Sequence, residues 1–162
     1  SEGAPAVRRV VRLPDGEILN RYWDDQPLPR PESYREDVEL AEKSGREPED
    51  LYRNLRAACE SGWDFSSRWL RDGQNLATIR TTELVPVDLN CLIYHLERTL
   101  AEAHQETGNS DAANRYRLLA HQRKTAILKY CWNVALEYYT DYDWVARQPA
   151  SAPTLAGMFP LY

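Results

Sequence analysis

Two short stretches carry the residue types best suited to chemistry. The run Glu60-Ser61-Gly62-Trp63-Asp64-Phe65-Ser66-Ser67-Arg68-Trp69 sets one carboxylate, Asp64, among large aromatic rings. Such rings shield a carboxyl from water, which raises its pKa and favours a protonated acid at neutral pH. Their faces also stack on the apolar faces of sugar rings. Gly62 allows backbone to approach a ligand closely, and Ser66, Ser67 and Arg68 supply donors. A structural role is equally open from the residue types: Asp64 could cap a helix start by accepting from the amides that follow.

The second stretch is Asp24-Asp25-Gln26-Pro27-Leu28-Pro29-Arg30-Pro31, followed by Glu32. Each proline removes a backbone donor and restricts its predecessor, so the segment must be an extended, rigid loop. Arg30 and Glu32 flank Pro31 and leave a stiff backbone, with little entropy to lose on binding. Glu32 can accept from two hydroxyls, and Arg30 can donate to one or two oxygens. Taken alone, this stretch reads first as a helix N-terminus whose dipole Glu32 complements.

The elements that must position these residues are mostly helical. Arg8 to Leu13 alternates, Pro14-Asp15-Gly16 supplies a turn, and Glu17 to Trp23 returns, which predicts a short β-hairpin. Residues 1–6 are small and polar and read as frayed. A helix is expected over 32–43, ending before Ser44-Gly45, with the charges from Asp37 to Asp50 on a solvated face. Pro48 suits the first position of another helix, with Leu51, Leu55 and Ala58 on one face and Gly62 as its break. Leu89, Leu92, Ile93, Leu96 and Leu100 recur at helical spacing and predict a helix from Pro86 to about His104. Gly108-Asn109-Ser110 separates it from a second long helix, about Asp111 to Cys131, with Tyr116, Leu119, Ala120 and Ile127 inward. So short a link makes the pair antiparallel neighbours. Tyr138 to Val145 alternates weakly as a short strand, and a last helix is expected from near Pro153.

The composition narrows the function classes. The chain has 162 residues, 43% hydrophobic and 28% charged, which suits one domain with a single core. No apolar stretch reaches the ~20 residues of a membrane helix, and no signal peptide is visible. A net charge of −5 with interleaved acids and bases argues against a nucleic-acid partner. Cys59, Cys91 and Cys131 form no CxxC or zinc spacing and read as free, mostly buried thiols. His95, His104 and His121 share no metal-ligand spacing, and no phosphate-cradling GxGxxG or P-loop is present. Trp132, Trp144 and the tyrosines around Tyr138 read as packing residues. The chain opens on Ser1 rather than methionine and stops inside the apolar run Met158-Phe159-Pro160-Leu161-Tyr162. We therefore expect it to be one segment of a longer protein.

Taken together, the stretches resemble a known family. Asn20-Arg21-Tyr22-Trp23-Asp24-Asp25, Pro29-Arg30-Pro31-Glu32-Ser33-Tyr34, Tyr52-Arg53-Asn54-Leu55-Arg56 and the Glu60–Trp69 run are similar to the trehalases, glycoside hydrolases best matched here in their bacterial form. The likeness continues through Arg80-Thr81-Thr82-Glu83-Leu84-Val85-Pro86-Val87-Asp88-Leu89-Asn90. It weakens over the two long helices and returns at Tyr139-Thr140-Asp141-Tyr142-Asp143 and Phe159-Pro160-Leu161-Tyr162.

The resemblance implies a mainly α fold that is part of an (α/α)6 barrel, with inverting hydrolysis of α,α-trehalose to two glucose molecules. It makes Asp64 the general acid, and Arg30, Glu32 and Gly62 the sugar-binding lining of the pocket. An inverting enzyme needs two carboxyl groups roughly 6.5–9.5 Å apart, one donating to the leaving oxygen and one activating water. The family's base is a glutamate downstream of the matched region, followed by a glycine-rich stretch that this chain lacks. Glu83 fits the family pattern as a framework residue and not as the base. No metal or organic cofactor is implied. The implied partners are trehalose or a glucose-like small molecule and the missing parts of the same barrel, or self-association through uncovered apolar helix faces. The likeness to periplasmic forms implies a periplasmic location, with the cytoplasm as the alternative. Rival readings are an (α/α)6 glucosidase with another α-glucoside substrate and a non-catalytic helical binding module.

Overall fold

Helices in this chain start where proline or asparagine favours a first turn, and all the α-helices but the last stop at or just before a glycine. The computed structural model of the chain describes residues 5–161. Pro31–Ser33 forms a single 3-10 turn that runs into helix α1, Tyr34–Ser44, which closes on Gly45 at a left-handed φ of 66°. Helix α2, Pro48–Glu60, has Pro48 at its first position and buries Leu51, Leu55 and Ala58, as its spacing predicts. Helix α3, Val87–Glu106, is joined to helix α4, Ser110–Tyr130, whose Asn109 cap accepts from the Ala112 amide. Glu97 meets Arg123, Gln105 meets Arg117 and His104 stacks on Tyr116, so the two helices run antiparallel.

Short strands tie the helices together. Strands β1 (Ala6–Val7), β2 (Val10–Arg12) and β3 (Ile18–Asn20) form an antiparallel sheet, β2 and β3 being the expected hairpin around Pro14-Asp15-Gly16. Ala6 pairs with Val11, so the expected fraying does not extend to it; residues 1–4 lie outside the described residues. Strand β4 (Leu84–Val85) pairs with β7 (Tyr142–Asp143), which also pairs with β8 (Gln148–Pro149). Between them in sequence, β5 (Trp132–Asn133) pairs with β6 (Tyr138–Tyr139). The single strand expected over Tyr138–Val145 is thus two strands in two different sheets. The last element is a 3-10 helix, Leu155–Leu161, rather than an α-helix.

Two apolar clusters form the interior. One gathers Val11, Leu19, Val85, Ile127, Tyr130 and Tyr142 around the hairpin and α4. The other gathers Tyr22, Leu51, Leu55, Trp69, Ile79 and Leu84 around α2 and the aromatic run. Burying Trp69 and Leu55 completely contributes about 1.5–3 kcal/mol for each side chain.

On the long helices Ala120 and Ile127 are buried as expected and Tyr116 stacks on His104, but Leu119 and part of the α3 leucine stripe stay exposed. On α3 the buried residues are Val87, Asp88, Asn90, Glu97 and Ala101, while Leu92 and Leu96 are 52% and 54% exposed. On α4, Ala113, Ala120, Ala126, Ile127 and Tyr130 are buried and Leu119 is exposed. The inward polar groups are tolerated because each has a partner. Arg123 donates to both Glu97 oxygens and to Asn20 and Asn90, and Asn90 donates to the Asn20 carbonyl. The solvated face expected from Asp37 to Asp50 is also broken. Asp37 is buried, and Arg46 donates to the carbonyls of Ala77 and Ile79.

Candidate active site

The aromatic run leaves the C-terminal end of α2 through a left-handed residue, Gly62, at φ 72°. No side chain crowds that position, so glycine is required by backbone geometry rather than by space. The loop is fixed from within. The Ser61 hydroxyl accepts from the Trp63 amide, and the Trp69 indole donates to the Trp63 carbonyl at 3.0 Å. Ser66 caps the 3-10 turn Ser67–Trp69 by accepting from the Arg68 amide. The capping role open to Asp64 is therefore filled by Ser66.

Arg68 anchors the loop to the rest of the chain instead of donating to a ligand. Its side chain is buried and donates to both oxygens of Asp88 and both of Asp141, at 2.8–3.2 Å. Asp141 also accepts from the Val87 amide at the start of α3. Burial works against the Arg68 charge, but the two carboxylates outweigh it and hold the guanidinium above its usual value. One guanidinium against two carboxylates leaves one excess negative charge. Burial pushes the Asp141 carboxyl above the usual range, with Arg68 pulling against it and Asp88 adding to it.

Asp64 itself is exposed, and among the described residues no hydrogen bond engages its carboxylate. The aromatic flanks do not enclose it as their types predict. Trp69 turns into the core behind the loop, where it meets Tyr22 edge-on, and the Phe65 ring lies 4.8 Å from the Arg30 guanidinium. Any enclosure of Asp64 must come from groups outside these residues.

Arg30 approaches from the proline loop. Its backbone is extended, with φ −67° and ψ 135°, as flanking prolines require. The guanidinium is buried and donates to both Asp37 oxygens, at 3.0 and 2.7 Å, while the Arg30 amide donates to the same carboxylate at 2.9 Å. A remaining guanidinium nitrogen lies 3.6 Å from the Cys59 sulfur. The Asp37 hydrogen bonds hold the Arg30 charge above its usual value despite burial.

Cys59, at the end of α2, lies against Arg30. Burial pushes its thiol up; Arg30 lowers it, and the charges of Asp64 and Glu32 raise it further. Both carboxylates and Arg30 are therefore within electrostatic reach of one sulfur. The protonated thiol is no nucleophile at neutral pH. Glu32 is exposed on its 3-10 turn, and Gly62 donates to the Cys59 carbonyl at 3.1 Å. The structure thus gathers Arg30, Cys59, Gly62 and Phe65, the residue after Asp64, in one cluster. Sequence reasoning missed Asp37 and Cys59 as members of it. A signal for Asp37 existed, since an arginine on a rigid loop faces the first turn of the helix that follows.

No group of histidine, cysteine and carboxylate residues that could hold a metal occurs among the described residues. A recess of about 700 Å³ lies elsewhere, lined by Lys43, Arg46, Asp50, Arg71 and Glu83. The chemistry available is that of an exposed acid beside a fixed cation and a second carboxylate, on an open surface.

Comparisons with known proteins point the same way. The family model described as Trehalase matches residues 3–162. The periplasmic trehalase of Xanthomonas campestris pv. campestris (strain B100) is 53% identical over 158 residues, covering 97% of this chain and 28% of that protein. The periplasmic trehalase of Xanthomonas axonopodis pv. citri (strain 306) is 52% identical over the same coverage. Among solved structures, the neutral trehalase of Saccharomyces cerevisiae is similar with a TM-score of 0.73 at 24% identity, over 97% of this chain and 32% of that one. That last likeness is one of fold. The chain spans less than a third of the length of each of these proteins.

Proposed function

This chain belongs to the trehalase family of glycoside hydrolases, and on that premise we propose that it is the acid-bearing segment of a trehalase catalytic domain. In this reading the whole protein hydrolyses α,α-trehalose to two glucose molecules with inversion. Asp64 protonates the departing glycosidic oxygen, and a base outside these residues activates the attacking water. Arg30 and Glu32 bind glucose hydroxyls, and Gly62 allows the backbone close approach. The helices form part of an (α/α)6 barrel, whose remaining helices cover α3 and α4 and enclose Asp64. The names of the relatives favour the periplasm as its location. No described helix is long and apolar enough to cross a membrane.

The observation that carries the reading is the contact between the two stretches: the Arg30 guanidinium donates to Cys59 and lies 4.8 Å from the ring of Phe65, the residue after Asp64. The stretches are separated by a helical hairpin, and their meeting needs a reason beyond local folding. The test follows the anomers of freshly released glucose by proton NMR, using the full-length protein. Inversion releases one β-glucose for each α-glucose before mutarotation. Release of α-glucose alone would contradict the mechanism, and absence of trehalose cleavage would contradict the substrate.

A further inference from the structure

We propose that Asp37 is a positioning residue for the sugar-binding reaction, setting the reach and orientation of Arg30 without touching substrate itself. The inference rests on the reading of Arg30 as a substrate-binding side chain and adds the group that makes that side chain usable.

Arg30 emerges between Pro29 and Pro31, so its backbone direction is fixed, but its long side chain is not. Left free, it would lose rotamer entropy each time a sugar bound. Asp37 removes that freedom in advance. Its carboxylate, 1% exposed, accepts from Nε and Nη2 of Arg30 in the planar bidentate arrangement that arginine alone can make. The same carboxylate accepts from the Arg30 amide, so one group fixes both ends of the residue. The Phe65 ring lies 4.8 Å from the guanidinium carbon, and Cys59 sits by Nη1. Two of the three nitrogens are thereby committed to Asp37. Nη1 donates to the Cys59 sulfur at 3.6 Å, and its second proton has no acceptor among the described residues.

The position of Asp37 also serves this purpose. It lies in the first turn of α1, where a negative charge is favoured by the helix dipole. The clamp is therefore held by an element whose other buried residue, Ala41, packs into the core around α2. A buried carboxylate used only for stability would need no partner aimed at the site.

The test is a double-mutant cycle in the full-length enzyme, with D37N, R30A and the pair, and KM and kcat measured separately on trehalose. D37N should lower kcat/KM by about 10- to 100-fold, chiefly through KM, since a misplaced binding group acts on sugar capture. In the R30A background the same substitution should change little, because the side chain it positions is gone. D37E, which keeps the charge but shifts it by one methylene, should fall between wild type and D37N. Equal losses from D37N with and without Arg30 would overturn the proposal, as would wild-type KM in folded D37N. Should D37N fail to fold, D37E alone and combined with R30A carries the same comparison. Full activity in R30A would overturn the assignment of Arg30 itself, and the outcomes are thus separable.

Discussion

At the scale of single residues, the charges that matter are those whose partners are fixed. Arg68 is the clearest case, a buried cation shared by Asp88 and Asp141. The raised Asp141 carboxyl means that the native state binds a proton more tightly than the unfolded chain does. Its stabilising contribution is present in full below the ordinary carboxylate value near 4 and is lost as pH rises through the raised native value. D141N cannot titrate, so the melting-temperature advantage of wild type over D141N should shrink as pH rises from about 4 to 7. Thermal melts across that range check it, and a constant or widening gap would contradict it. The sequence singles out Asp64, Arg30, Glu32 and Gly62 because the motif text around them is long and chemically unusual. It assigned Arg68 wrongly, as a ligand donor, because nothing in a linear string shows that Asp88 and Asp141, 20 and 73 residues on, converge on it.

At the scale of elements, helices α1 and α2 were readable because local signals set them: proline at the start, glycine at the end and apolar spacing between. The hairpin was readable for the same reason. Helices α3 and α4 were placed correctly along the chain, and Ala120 and Ile127 face inward as expected, but Leu119 does not, and Leu92 and Leu96 on α3 are exposed. A leucine stripe marks a face that wants cover, not which neighbour supplies it. Within this chain the polar stripe is inward, satisfied by Arg68 and Arg123, and the leucines face out. The closing 3-10 helix has a tight contact of its own. A Cβ on Gly157 would run into the Tyr139 carbonyl and the Tyr138 ring. G157A should therefore destabilise the chain by about 1–3 kcal/mol through overpacking. An unchanged melting temperature would show that the hairpin β5–β6 gives way freely.

At the scale of the molecule, several large apolar side chains on the long helices and the closing 3-10 helix are exposed. Leu92 and Leu96 on α3, Leu118 and Leu128 on α4, and Leu155 and Leu161 at the end are each about half exposed or more. Apolar area of this extent on a folded surface marks an interface. On the proposed reading, in which the base and the cover for Asp64 are supplied by other residues, the isolated chain should self-associate at micromolar concentration and turn over no trehalose. Light scattering and a glucose-release assay read the two outcomes. A monomer with turnover comparable to a full-length trehalase would contradict both.

The central claim is that Asp64 donates the proton to the leaving sugar. Full-length D64N, compared with wild type on trehalose and on α-glucosyl fluoride, tests it most directly, since fluoride leaves without needing a proton. Loss of the general acid should cost about 10²- to 10⁴-fold in kcat on trehalose, with a much smaller loss on the fluoride. Wild-type turnover of trehalose by D64N, or equal losses on both substrates, would contradict the assignment.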